Sequence, residues 1–347
     1  MVDLCVMGGG IFGLSVAYAC QSRGAKVTLR EKRAIGAGSS GGMVGALAPH
    51  TPDNWNDKKE FQFQSLIAME DYWGEVDGLS GISSGYGRTG RIQSIPDERV
   101  LNLAHNRTEW AKDIWKGYAE WTVVEADDWG DWAPDTQYGK LILDTLSARM
   151  NPRLAAQSLA AAFKAKGGQI EISDEAPSGL PVVWATGYEG LETLSRELDR
   201  NMGYGVKGQS ILLNYDARDK PHLFADGLHI VPHENGTLAI GSTNEKDFTD
   251  AVATDGQIED VYARAVAAIP ILKSAPILGR WAGVRPRAMT RAPLLGAHPT
   301  RDGHFVANGG FKIGFGVSIK VGDVMADLIL DGKDNIPSGF RLASSDA

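Results

Sequence analysis

Cysteine is nearly absent from this chain: of 347 residues only Cys5 and Cys20 carry a thiol. Two cysteines make neither a disulfide framework nor a metal knuckle, so no metal site is expected. Both read as small apolar core residues, and their scarcity fits a reducing compartment, the cytoplasm. No run of 18 apolar residues occurs, so no membrane span is expected. The oily N-terminus carries Asp3 where a signal peptide needs basic residues, and Gly8, Gly9 and Gly10 interrupt it. Basic residues are outnumbered, 35 Lys and Arg against 43 Asp and Glu, for a net charge of −8. No Lys/Arg cluster stands out, which argues against a nucleic-acid surface. Internal repeats are missing too, and nothing in the composition fixes an oligomeric state.

Glycine, by contrast, is abundant: 42 of the 347 residues, well above the usual ~7%. With only 15 prolines and no three-residue period, collagen is excluded; 43% hydrophobic residues exclude general disorder. The excess must serve tight turns or close approaches of backbone to something else. The length allows two domains, or one with a large insertion.

An apolar run, Asp3 to Met7, leads through Gly8–Gly13 into a helical stretch to about Arg23. Gly24 turns the chain and Lys26 to Glu31 reads as a second strand, the opening of a βαβ unit. A helix is expected from Lys58 to about Val76 and another from Asp97 to about Tyr118. Strands are expected at Arg88–Ile95, Trp121–Ala126 and Lys140–Asp144. The acidic stretch Asp127–Asp135, with Trp129 and Trp132, reads as a capped surface loop. Asn151 with Pro152 predicts a helix to about Lys166. Gln169–Ile172 and Val182–Ala185 read as short buried strands. Lys207–Tyr215, Leu228–Pro232 and Thr237–Ser242 form an antiparallel series with Asn235-Gly236 as a hairpin turn. Thr254 and Gln257 suggest a capping box for a helix ending before Pro270. Ile277–Met289 and His304–Ala307 are further strands. A last helix runs from Val317 to Leu330, followed by about ten frayed residues. The pattern predicts an α/β protein with one discontinuous domain, residues 1–79, 139–204 and 276–347. It carries a mostly antiparallel β domain at 80–138 and 205–275.

Four glycine-rich sites carry chemistry. Gly8-Gly9-Gly10-Ile11-Phe12-Gly13 is a GxGxxG between strand and helix, with Glu31 ending the next strand. Gly8 permits the turn, Gly10 admits a pyrophosphate, and Gly13 lets helix and strand close up. The helix N-terminus faces the phosphates, and Glu31 can accept both ribose hydroxyls. Gly38 to His50 is a small-residue loop suited to binding through backbone N–H and short hydroxyls. Val182 to Gly187 ends a strand in small residues, leaving room for something bulky. Gly309 to Ser318 places a second glycine loop at a helix N-terminus. Two such termini suit one long ligand with polar groups at both ends. This leaves FAD and NAD open.

Further segments decide between them. Gly42-Met43-Val44-Gly45-Ala46, Ile230-Val231-Pro232 with Gly241-Ser242-Thr243, Trp281-Ala282-Gly283-Val284-Arg285-Pro286, and Gly314-Phe315-Gly316-Val317-Ser318-Ile319 together resemble the FAD-dependent D-amino-acid oxidase family. The resemblance covers nearly the whole chain and is strongest to the glycine oxidases. It implies a Rossmann-like FAD-binding domain of the glutathione-reductase type with an inserted substrate domain. It implies FAD, held non-covalently, since relatives with attached flavin use a cysteine near it and both cysteines here precede residue 21. Gly8, Gly10, Ile11, Phe12, Gly13, Glu31, Lys32, Ser39, Ser40, Gly42 and Met43 would follow the adenosine and phosphates. Ala185, Thr186 and Gly187 would lie beneath, and Gly310, Lys312, Ile313, Gly314, Phe315, Gly316 and Ser318 at the flavin. Arg285 matches the family's carboxylate anchor, with Lys312, His229 and His50 around the substrate. Lys312 stands where glycine oxidases have Arg, and His229 where relatives have Tyr. The segment 173–181 is shorter than the strand excursion relatives carry there. The resemblance implies hydride transfer from a small amino acid or amine to flavin N5. The imine so formed hydrolyses, and hydrogen peroxide is released where oxygen is the acceptor. A dehydrogenase using a quinone or carrier, a tRNA-modifying flavin domain and a non-catalytic dinucleotide-binding protein are the rival readings.

Overall fold

The structure, a computed structural model, describes residues 3–342. Its first sheet has six strands in the order Leu294–Ala297, His304–Asn308, Val182–Trp184, Asp3–Met7, Lys26–Glu31 and Gln169–Ile172. All neighbours pair in parallel except the first two. The parallel centre is covered on both faces, so Asp3–Met7 and Val182–Trp184 are apolar runs rather than alternating ones. Helices Ile11–Ser22, Pro152–Ala165 and Gly314–Asp331 pack together in the main core with Asp57–Ile67. A Cβ on Gly322 would sit 2.8 Å from the Ser15 carbonyl oxygen, so glycine sets the close approach of two of these helices.

The second sheet has eight strands in the order Ile277–Ala288, Gly203–Leu213, Leu238–Gly241, Leu228–Pro232, His222–Ala225, Arg91–Ser94, Lys140–Asp144 and Trp121–Glu125. One face buries Ile92, Ile211, Leu223, Ile230 and Ile240 against the helix Gln257–Ala268. Along the other face, cross-strand register aligns Gln93, Phe224, His229, Gly241, Ser210 and Trp281 in one row. The loop after the opening βαβ unit leans on this row. A Cβ on Gly241 would meet the Val44 side chain at 2.7 Å, and one on Gly42 would meet the Trp281 ring at 3.4 Å.

Several expectations change. The boundaries at 139 and 276 do not follow sheet membership, because Lys140–Asp144 and Ile277–Ala288 both pair within the eight-stranded sheet. The expected helix from Lys58 to Val76 is two, Asp57–Ile67 and Met69–Ser80, divided at Ala68. Gln169–Ile172 is an edge strand and mostly exposed, not a buried one. The helix after Thr254 begins at Gln257 and is held by Asp255, whose Oδ1 accepts from Gln257 N at 3.0 Å; the aspartate nearer the helix wins over the threonine. Residues 126–132 form a short 3₁₀ turn in which Trp132 is buried, its indole donating to the Pro221 carbonyl at 3.1 Å. The C-terminal stretch packs as far as Phe340, edge-on to Phe61 at 4.7 Å between ring centres; residues 343–347 of the expected frayed end lie outside the described residues. Asn151 caps its helix as expected, accepting from Arg153 N and Leu154 N.

Candidate functional site

The first βα turn is built as its glycines require. A Cβ on Gly8 would lie 2.3 Å from the Ala185 carbonyl oxygen, and one on Gly13 1.9 Å from the Gly8 carbonyl oxygen. Any side chain at either position would collide with backbone. Glu31 is buried and its two oxygens accept from Gly9 N at 2.7 Å and Arg33 N at 3.0 Å. Each oxygen keeps a second lone pair for a ribose hydroxyl. Ser40 Oγ accepts from Ile11 N at 2.9 Å, tying the 39–41 turn to the start of the helix.

These residues open on a cavity of about 390 Å³. Its walls include Gly8, Gly10, Ile11, Phe12, Glu31, Lys32, Ser39, Ser40, Ala185, Thr186, Gly187, Gly310 and Gly314. Thirteen of the expected cofactor positions are thereby brought around one space. Gly13, Gly42, Met43, Lys312, Ile313, Phe315, Gly316 and Ser318 are not on its wall. Gly13 acts in packing. Met43 is buried toward Gly279, and the Ser318 hydroxyl donates to the Phe315 carbonyl at 2.9 Å within its own helix. Lys32 reaches the wall but forms an ion pair with Glu189.

Trp184 belongs to the Val182–Gly187 segment expected near the ligand, whereas Arg301 and Tyr188 carry no signal in the sequence; all three line the cavity. The Trp184 ring stacks on His304 with centroids 5.9 Å apart and donates to His304 Nδ1 at 3.0 Å, and the Arg301 guanidinium lies 5.1 Å from the Trp184 ring. No strand forms in the short stretch 173–181. The cues were two aromatic side chains at neighbouring strand positions, visible only once Val182–Trp184 pairs with His304–Asn308.

Ala282, Gly283, Val284 and Pro286 line the same cavity, but Arg285 does not. Its side chain lies across the neighbouring strand at Gly208, where a Cβ would stand 1.6 Å from Nη2. Nη2 donates to Ser242 Oγ and to the Thr243 carbonyl at 3.3 Å. Nη1 is buried and has no partner among the described residues. Burial lowers the guanidinium's pKa to about 10, with nearby Glu245 opposing, so it stays charged at neutral pH. No carboxylate among the described residues lies within 4.0 Å of it, so Arg285 is not half of an ion pair with any of them.

His229 stands on the same face, opposite Gly241, its ring 4.8 Å from Phe224 and 5.6 Å from His222. Burial, then the charges of Arg91 and Lys312, push its pKa down to about 3, so the imidazole is neutral. Its Nδ1 has no partner among the described residues. Lys312 follows Phe311, whose N donates to the Pro286 carbonyl at 3.0 Å. That contact sets the lysine beside the Arg285 segment. Partial burial, then Arg285 and Arg287, lower its pKa. His50 is engaged otherwise: its N donates to Gln62 Oε1 at 2.8 Å and its ring meets the same oxygen. No group of three or more His, Cys, Asp or Glu among the described residues could hold a metal.

The donor set fits a flavin dinucleotide. A side-chain-free turn stands at a helix N-terminus, an acidic residue with spare lone pairs sits where a ribose would lie, and a second glycine-opened helix faces the same space. Among curated proteins the chain is 25% identical to a glycine oxidase of Geobacillus kaustophilus, covering 94% of this chain and 92% of that protein. It is 27% identical to one of Bacillus licheniformis over 94% and 93%. Among solved structures it matches glycine oxidase from Geobacillus kaustophilus with a TM-score of 0.85 at 22% identity, covering 99% of each chain. It also matches an iminodiacetate oxidase from Chelativorans sp. BNC1 with a TM-score of 0.84 at 19% identity, covering 99% and 100%. The profile of the DAO family, described as FAD dependent oxidoreductase, matches residues 3–328. The chain thus belongs to the DAO family of FAD-dependent oxidoreductases, and FAD is its cofactor.

Proposed function

We propose that the protein oxidises the C–N bond of a small amino acid or amine whose carboxylate is held by Arg285. The observation that carries this reading is the anchor itself: a charged guanidinium with a buried, unpartnered Nη1 and no carboxylate within 4.0 Å among the described residues. A buried polar group with a missing partner is costly, on the order of 1–3 kcal/mol, and a substrate carboxylate supplies that partner. FAD supplies the hydride acceptor. The chain orients the substrate: Arg285 takes the carboxylate, and Gly208, Gly241 and Gly283 make room on the sheet for the Arg285, Val44 and Trp281 side chains. Neutral His229 offers a hydrogen bond to the substrate without adding charge. Glu31 and the Gly8–Gly13 turn hold the adenosine end, and Gly314 at its helix start faces the other end.

Relatives named glycine oxidase support a small amino-acid substrate. Anaerobic mixing of the yellow holoenzyme with glycine, sarcosine and a panel of D-amino acids tests the reading. Bleaching of the flavin band by at least one, with Arg285→Ala raising the Michaelis constant sharply, is expected. A flavin that none of them reduces, or kinetics untouched by Arg285→Ala, would remove it. Reoxidation by air then separates an oxidase from a dehydrogenase that feeds a carrier.

A further inference from the structure

Four further cations of this acidic protein come together beside Arg285: Arg287 and Arg291 from the same stretch of sequence, and Lys312 and Lys58 from other segments. Arg287 lies two residues further along the same strand and face, its guanidinium 5.0 Å from the Phe311 ring and 5.9 Å from Tyr204. Lys312 Nζ stands 5.8 Å from the same Phe311 ring, so Arg287 and Lys312 flank one aromatic side chain. Gly310 bridges to Arg287 and Phe311 N donates to the Pro286 carbonyl, which pins this segment to the strand bearing Arg285. Lys58, at the start of the helix Asp57–Ile67, donates to the Arg291 carbonyl just past the strand end. The charges act on one another: Arg285 and Arg287 on Lys312, Arg287 and Arg291 on Lys58. None of the five has a carboxylate within 4.0 Å among the described residues.

Like charges held together without counterions destabilise the fold unless something anionic visits them. One substrate carboxylate satisfies Arg285 and leaves Arg287 and Lys312 as they were. We infer that the substrate is an amino acid or secondary amine bearing a second carboxylate. Arg285 takes the carboxylate next to the reacting carbon, and Lys312 and Arg287, on either side of Phe311, take the second. Lysine suits this better than a second fixed guanidinium, because a flexible point charge can meet a distal carboxylate on chains of different length. Lys58 and Arg291, further out, raise the local concentration of a dianion. This inference rests on the proposed amine oxidation and names its substrate class.

The test has two arms on the holoenzyme. In the first, succinate and malonate are titrated against propionate and acetate, and binding is read from the perturbed flavin spectrum. The dicarboxylates are expected to bind at least about tenfold tighter, which corresponds to about 1.4 kcal/mol. The difference should shrink as salt is raised and collapse in Lys312→Gln/Arg287→Gln, while Lys312→Arg keeps it. In the second arm, kcat/KM for D-aspartate, D-glutamate and iminodiacetate is compared with that for D-alanine, glycine and sarcosine, and the dicarboxylates are expected to lead by a similar factor. Equal binding of succinate and propionate, with monocarboxylates turned over as well as dicarboxylates, would overturn the substrate class and leave the Arg285 reading standing. Loss of all turnover with the binding difference intact would instead remove amine oxidation and keep a dianion site. Saturable, salt-sensitive tRNA binding without any dicarboxylate preference would assign the cluster to a nucleic acid and overturn the inference.

Discussion

Gly208→Ala is the sharpest probe of the substrate anchor, because it touches neither the substrate nor the cofactor. Gly208 lies inside the strand Gly203–Leu213, with backbone that alanine adopts freely. The change should therefore leave the fold intact and restrict the unfolded chain, a gain of ~0.4–1 kcal/mol. The new methyl would stand 1.6 Å from Arg285 Nη2 and 2.4 Å from Cζ. To reach ordinary van der Waals contact the guanidinium must retreat by about 2 Å. That breaks its hold on Ser242 Oγ and the Thr243 carbonyl and moves the carboxylate seat. Charge-assisted hydrogen bonds are worth about 1.5–3 kcal/mol each, and a misplacement of about 1 Å at a reacting centre can cost ~100-fold. The expected loss in kcat/KM is about ten- to a hundredfold for an amino acid, with little change for an amine lacking a carboxylate. Anaerobic stopped-flow reduction of the flavin measures both. FAD content should be normal, since Gly208 is not on the cavity wall. In an Arg285→Ala background the same change should add nothing, a double-mutant cycle that isolates the contact. Wild-type kinetics in Gly208→Ala, or equal losses with and without Arg285, would refute the reasoning.

Two further outcomes are expected. Glu31→Gln sets an amide where two backbone N–H groups now meet carboxylate oxygens, at 2.7 and 3.0 Å. With ~1–3 kcal/mol at stake, the dissociation constant for FAD should rise about tenfold or more, read by quenching of flavin fluorescence as apoprotein is titrated; an unchanged constant would show that the ribose lies elsewhere. Stability should fall as pH drops from the ordinary histidine value of 6.5 toward 3, because burial lowers the pKa of both His222 and His229 and the unfolded chain takes up their protons first. Each contributes up to ~1.4 kcal/mol per pH unit in that window, so His222→Leu should flatten the loss seen in urea unfolding at pH 5 relative to pH 7, and parallel slopes would count against it.

The nucleotide end was legible because its signals are local. A glycine turn needs backbone room within a few residues, Glu31 ends the next strand, and Asn151 caps its own helix. What escaped depends on register between distant strands. Gly208 is unremarkable in sequence; its role follows from pairing with Gly283, two residues before Arg285 on the neighbouring strand. Arg285, Arg287 and Arg291 lie close along the chain, but Lys58 and Lys312 join them only after folding, so the expected absence of a basic cluster does not hold in space. Ser318 looked like a ligand donor from its motif, yet helix geometry turns its hydroxyl onto the preceding turn. His50, expected around the substrate, is claimed instead by the Gln62 side chain.

The turn at Gly8–Gly13 owes its shape to residues outside it. Gly9 N is held by Glu31, 22 positions on, and Ile11 N by Ser40, 29 positions on. The glycine fingerprint is thus not a portable module. Excised as a peptide, or grafted onto another strand and helix without these two acceptors, it would leave both N–H groups to water and lose the alignment that faces a phosphate. The second strand and the 39–41 turn must be in place before the first can bind anything, so the nucleotide site is a property of the assembled tertiary fold and not of the motif that announces it.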